Sequence, residues 1–113
     1  YEDENYFAFL DINPLQKGHT LVIPKKEDDY IFNLDDATYS GLMMTAKKIA
    51  AAIKESTNCK RVGVTVLGME VPHVHIHLVP MNSEKDMLFS NPKMELSKEE
   101  FEAIAADIAK RVK

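Results

Sequence analysis

Apolar and polar residues recur with two different periods along this chain, and each change of period marks a new element. Tyr6-Phe7-Ala8-Phe9-Leu10-Asp11-Ile12 is aromatic and aliphatic and ends at Asn13-Pro14, which predicts a strand. Asn13 to Gly18 contains proline and glycine and reads as a connecting loop. His19-Thr20-Leu21-Val22-Ile23 predicts a second strand, stopped by Pro24 and the charges from Lys25 to Asp29. From about Asp36 to Glu55 the period lengthens. Tyr39, Leu42, Met43, Ala46, Ile49, Ala50 and Ile53 recur at three- and four-residue spacings, the single apolar stripe of a long helix. Arg61 to Leu67 predicts a third strand, and Gly68 to Pro72 a short turn. His73-Val74-His75-Ile76-His77-Leu78-Val79-Pro80 then alternates strictly and predicts a fourth strand. A polar loop with Asn91-Pro92 follows. Ser97-Lys98-Glu99-Glu100 forms a capping box that opens a C-terminal helix, with Phe101, Ile104, Ala105, Ile108 and Val112 on its buried face.

Short connections make sequential strands antiparallel neighbours, so strands one and two form one pair and strands three and four another. The order ββαββα predicts an α+β fold, an antiparallel sheet carrying one long helix and a C-terminal helix. At 113 residues the chain is long enough for one core and makes a single domain, residues 1–113. It opens at Tyr1, without a methionine, inside a charged lead-in of Glu2, Asp3 and Glu4. This reads as a trimmed chain lacking an N-terminal segment.

Composition narrows the function classes. A content of 45% hydrophobic and 28% charged residues disfavours both disorder and membrane insertion. No apolar run approaches the length of a bilayer and no signal-peptide pattern opens the chain, so a cytoplasmic protein is expected. A net charge of −4 with no basic stripe argues against a nucleic-acid polymer as partner. A small anion is still allowed, because local donors decide that. The single Cys59 rules out an intrachain disulfide and suits a buried structural thiol in a reducing compartment.

The candidate chemistry lies in the fourth strand, which carries three of the four histidines. Val74, Ile76 and Leu78 would be buried on one face and the imidazoles would line the other, successive rings roughly 7 Å apart. A structural strand would carry Thr, Lys or Ser there. Three groups titrating near neutrality point instead to proton transfer, nucleophilic attack or metal binding. A polar face enriched in histidine by chance is the plain alternative. His-x-His on a strand can place two imidazoles on one zinc, with His19 as a third ligand. Against this, His73 and His77 lie roughly 13 Å apart along a straight strand. No Cys or carboxylate sits at an evident ligand spacing beside them. Nucleophilic catalysis fits better. A neutral imidazole, with an unperturbed pKa near ~6.5, attacks phosphorus at pH ~7 without tuning. Its neighbours can orient it, protonate a leaving group and donate to phosphate oxygens.

His73-Val74-His75-Ile76-His77-Leu78-Val79 closely resembles the signature of the histidine triad (HIT) family, His-φ-His-φ-His-φ-φ. Phe9-Leu10-Asp11-Ile12-Asn13-Pro14, followed by Lys17-Gly18-His19-Thr20-Leu21-Val22-Ile23-Pro24-Lys25, resembles the same family's upstream block, most closely in its phosphoramidase-like (Hint) branch. The resemblance runs from Tyr6 through Pro80. It implies a five-stranded antiparallel sheet, a homodimer, and an N-terminal strand or helix that helps cover the base. It also implies transfer of a nucleoside monophosphate to the central histidine, here His75, followed by hydrolysis of the nucleotidyl-histidine. Family substrates are nucleoside phosphoramidates, aminoacyl-adenylates, dinucleoside polyphosphates or nucleotide sugars. Carried over residue by residue, His77 sits by the bridging atom and phosphate, His73 orients the site, and His19 completes the cluster. Asp11 and Ile12 fall in the nucleotide-binding block, Asp11 at the position that accepts from the ribose hydroxyls. Gly68, Met69 and Glu70 occupy the segment where relatives often carry Asn, Gln or Ser donors. Met69 cannot donate, and an ionised Glu70 facing the site would repel a phosphate.

The expectation is therefore a homodimeric hydrolase or nucleotidyl transferase acting on a purine nucleotide conjugate, with no cofactor or metal required. Two readings from other classes stay open: a low-turnover nucleotide-binding regulatory protein, and a histidine-ligated metal protein.

Overall fold

The computed structural model describes residues 1–113. Four strands, β1 (Tyr6–Leu10), β2 (Thr20–Pro24), β3 (Arg61–Thr65) and β4 (Ile76–Met81), form one sheet. Their order is β1-β2-β4-β3 and every neighbouring pair is antiparallel. Both expected pairs are present, with Phe9 opposite Leu21 and Val64 opposite Leu78. β2 and β4 join them, placing Leu21 opposite His77.

Helix α1 (Asp36–Thr57) packs on β2 and β4, and helix α2 (Lys98–Ala109) packs against α1 and β1. The Asp35 side chain caps α1 by accepting from the Thr38 N–H. Asn58 ends the helix in the left-handed conformation that asparagine tolerates. The stripe read from the sequence is the stripe that is buried: Leu42, Ala46, Ile49 and Ile53 meet Val22, Val74, Ile76 and Leu78 in one core. Met43, at the margin of that stripe, is exposed. The capping box of Ser97 and Glu100 forms as expected, but on α2 only Ile108 is fully buried and Ala105 faces solvent. Cys59 is a buried free thiol. No helix is long and apolar enough to cross a membrane.

Three strand boundaries fall two or more residues short of the expectation. β1 stops at Leu10, since Asp11 Oδ1 accepts from the Asn13 N–H (2.8 Å) and turns the chain away. β3 stops at Thr65, whose partner His77 is the last pair of that ladder. β4 begins at Ile76, so His73 and His75 precede the strand. There the His73 N–H bonds to Val71 O and the Val74 N–H to Asp28 O, which takes the segment out of the sheet.

The implied five-stranded sheet is present as four strands and a fragment. Tyr1 and Ala8 exchange backbone hydrogen bonds of 3.2 and 2.9 Å, and Glu2 bridges Phe7. Residues 1 and 2 thus lie beside β1 where a fifth strand would run.

The register sorts the two faces of the sheet. Ala8, Val22, Ile76 and Leu78 point to the helices. Phe7, Phe9, Leu21, Ile23 and His77 share the opposite face. The candidate chemistry is on this second face.

Candidate active site

Burial of Val74 and Ile76 fixes the residues between and after them on the other side of the chain. Val74 is 1% exposed and Ile76 is fully buried. His75 and His77 therefore face outward, as strand alternation requires. Their ring centroids are 4.9 Å apart, closer than the spacing of a flat strand. The reason is local: His75 lies ahead of the ladder, and its Nδ1 turns back to the His73 carbonyl at 2.7 Å. Gly18, at φ +99, turns the chain into β2 and delivers His19 beneath the same face. His19 Nε2 and His77 Nδ1 are 3.0 Å apart.

These contacts fix which nitrogen of each neutral ring carries the proton. A carbonyl oxygen only accepts. His73 must therefore donate from Nε2 to Pro24 O, at 2.8 Å, which ties the segment after β2 to the histidine run. His75 must donate from Nδ1 to His73 O, which leaves a lone pair on Nε2. His19 Nδ1 accepts the Leu15 N–H at 3.0 Å, so its own proton lies on Nε2 and is donated to His77 Nδ1. His77 is left with Nε2–H. One imidazole thus offers an electron pair and its neighbour offers a proton donor.

Burial sets the charge of the pair. His19 is 1% and His77 7% exposed. His77 is pushed down to about 4, chiefly by burial and then by the positive charge His19 and His75 would carry, while Asp11 pulls the other way. His19 is lowered too, by burial first, with Asp11 opposing and the Lys93 ammonium assisting. A histidine whose folded value lies below its unfolded value binds fewer protons folded than unfolded. Its contribution to stability is present above the unfolded value, near ~6.5, and is lost as pH falls toward the folded one. The melting temperature should drop between pH ~6.5 and about 4, with a shallower drop in that window for His77→Gln. Equal slopes for the two proteins would remove His77 as the source.

Asp11 closes the cluster. Its Oδ2 is 3.6 Å from His19 Nε2, and its Oδ1 holds the Asn13 N–H. Ligand atoms of Asp11, His19 and His77 all lie within 4.8 Å of one another, close enough for a cation in principle. The hydrogen bonds oppose one. To ligate through Nε2, neutral His19 needs its proton on Nδ1, and Nδ1 is the atom that accepts from Leu15. The donor set fits a proton-ordered relay better than an ion.

The structure brings Asp11, His19, His75 and His77 together, with His73 bracing them from the Pro24 side. Ile12 follows Asp11 and is 78% exposed. Gly68 adopts φ +69 in the turn before the histidine run, and Met69, 91% exposed, and Glu70 project into solvent. Neither Met69 nor Glu70 joins the hydrogen-bond network of the histidines. Two participants were absent from the sequence reading. The Leu15 N–H is a backbone group with no sequence signature. Phe89, from the loop after β4, has its ring centroid 4.8 Å from that of His77. It is the one aromatic residue in a stretch that reads as polar, and that was its only signal.

The HIT domain family matches residues 1–84. An adenosine 5'-monophosphoramidase of Schizosaccharomyces pombe is 34% identical over 108 residues, spanning 94% of this chain and 81% of that protein. A solved protein of Sulfolobus tokodaii, described as a hypothetical histidine triad nucleotide-binding protein, superposes with a TM-score of 0.83 at 30% identity, covering 99% of this chain and 80% of that one. A zinc-bound histidine triad family protein of Mycobacterium smegmatis gives a TM-score of 0.77 at 28% identity, covering 97% and 82%.

Proposed function

This chain belongs to the HIT family, and on that footing we propose that it cleaves purine nucleotide conjugates at the α-phosphate through a covalent nucleotidyl-histidine on His75. One observation carries the reading. His75 donates Nδ1–H to a fixed carbonyl and so presents an Nε2 lone pair, the form in which imidazole is a nucleophile. In the first step Nε2 bonds to phosphorus and the bond to the leaving group breaks. His77 Nε2–H passes its proton to the bridging atom as negative charge builds there. In the second step water attacks phosphorus and gives a proton back to His77 Nε2, the P–N bond breaks, and its electron pair returns to His75. Asp11 accepts from the ribose hydroxyls. Phe9, Leu21 and Ile12 offer the apolar wall against which a purine stacks. No metal enters either step.

The name of the fission-yeast relative makes adenosine 5'-phosphoramidate the first substrate to try. Mixing it with the protein and quenching in cold alkaline denaturant, which preserves a P–N bond, should give a protein heavier by one adenylyl unit, mapped to His75. Binding of AMP without any adduct or turnover would favour the regulatory reading. A stoichiometric metal in elemental analysis, with activity lost on chelation, would favour the metal reading.

The protein acts as a homodimer in this proposal, with no nucleic-acid polymer or membrane as partner. β3 is bonded to β4 on one side only, and Val64 on that edge strand is 52% exposed. Met43 and Met44 on α1 are also exposed. An unpaired edge strand and exposed apolar helix surface each offer a second copy a place to pack. Light scattering at micromolar concentration should return twice the chain mass, and a monomeric mass would remove the claim.

A further inference from the structure

The segment between β4 and α2 returns across the face that carries the histidines. Asp86 accepts from the backbone N–H groups of Asn82 and Ser83 and from the Gln16 side chain, and Asn91 Nδ2 donates to Lys85 O. The Met94 N–H bonds to Pro14 O at 2.8 Å, which ties the far end of the strap to the loop before His19. Lys93 donates to the carbonyls of Phe89 and Asn91, and its ammonium lies 5.9 Å from the Phe89 ring centroid. So held, the half-buried Phe89 ring meets His77 edge-on at 78° and His19 at 83°, with centroids 4.8 and 6.2 Å away. A hydrocarbon ring this close to two imidazoles occupies the place that water would take beside them.

We propose that Phe89 is a positioning residue, walling the His19–His77 pair from water and holding His77 so that its Nε2–H faces the reacting atom. The alternative is a ring that merely fills space on the strap. The two differ in what happens to His77 when the ring is cut back. A charged imidazole is poorly solvated against a phenyl ring, so the wall favours the neutral form. Three other groups act on His77, namely His19 on the β2 side, His75 ahead of β4 and Asp11 after β1, while Lys93 on the strap acts on His19. Truncating Phe89 leaves His19, His75 and Asp11 in place but removes the ring beside Lys93, so the series is run in a Lys93→Met background, where a change in the titration of His77 reports the wall.

The test is nuclear magnetic resonance titration of the His77 ring in the isotope-labelled full chain, for Phe89 and its Leu, Val and Ala variants. The midpoint should climb in that order, by about one pH unit or more for Phe89→Ala, with the Nε2–H form of neutral His77 losing dominance. Phe89→Leu, still bulky and apolar, should stay near the parent. Should Phe89→Ala fail to fold, the Leu and Val variants still define the trend. A midpoint and a tautomer unchanged across the series would overturn the proposal. This inference deepens the proposed function and rests on it only in a kinetic arm: Phe89→Ala should lower kcat several-fold and leave KM nearly unchanged. If the parent shows no turnover, the function fails and the titration still judges the wall.

Discussion

His75→Ala should abolish turnover, lowering kcat at least about a thousandfold, close to ~4 kcal/mol of barrier, while leaving the fold in place. The two halves of this expectation have separate physical origins. The kinetic half follows from the lone pair: His77 Nδ1 is taken by the His19 Nε2–H and His19 Nδ1 by the Leu15 N–H, and His73 is tied to Pro24 O, away from the pair that His75 and His77 form. The structural half follows from position. His75 is half-buried on the face opposite the core, and its one hydrogen bond goes to a neighbouring carbonyl. Losing that bond costs on the order of 1 kcal/mol. Ile76→Ala, one residue on, empties a fully buried site and should cost about 2–5 kcal/mol instead. Residual activity of His75→Ala within about tenfold of the parent would end the covalent mechanism.

Much of this arrangement is legible in the sequence, because alternation along a strand is a strong constraint. Placing Val74, Ile76 and Leu78 on one face is enough to know that His75 and His77 lie together on the other. The stripe from Leu42 to Ile53 likewise fixes what α1 buries, and Ser97 with Glu100 fixes where α2 begins. Legibility ends where a residue's partner is distant and unpatterned. Alternation continues through His73, but the ladder does not, since Val74 bonds to Asp28 from another part of the chain. The ring spacing departs from the straight-strand value of roughly 7 Å for the same reason: the backbone leaves the ladder before His75, and the rings stand 4.9 Å apart. The proton order of the site depends on the Leu15 amide, and every residue but proline has an amide. Phe89 belongs to a short apolar run, Met87-Leu88-Phe89, in an otherwise polar loop, too short for a period to show that it folds back on His77.

His77→Ala should show a loss that depends on the leaving group. His77 Nε2–H faces the atom that departs, and its help is worth most where that atom would otherwise leave as a strong base. A nucleoside phosphoramidate with an alkylamine leaving group should lose roughly 10²–10⁴-fold in kcat. An aryl ester with an acidic phenol should lose much less, because a stable phenolate needs little help. The substitution also strands a buried donor. His19 Nε2–H loses its acceptor at 3.0 Å and must turn toward Asp11 Oδ2, now 3.6 Å away. An unsatisfied buried group costs about 1–3 kcal/mol, so a lower melting temperature is expected as well. That structural cost falls equally on every substrate and cannot imitate a dependence on leaving group. Equal losses for amine and phenol would mean that His77 only holds His19 and Asp11 in place, and the donor to the leaving group would have to be sought among the backbone N–H groups around Gly68.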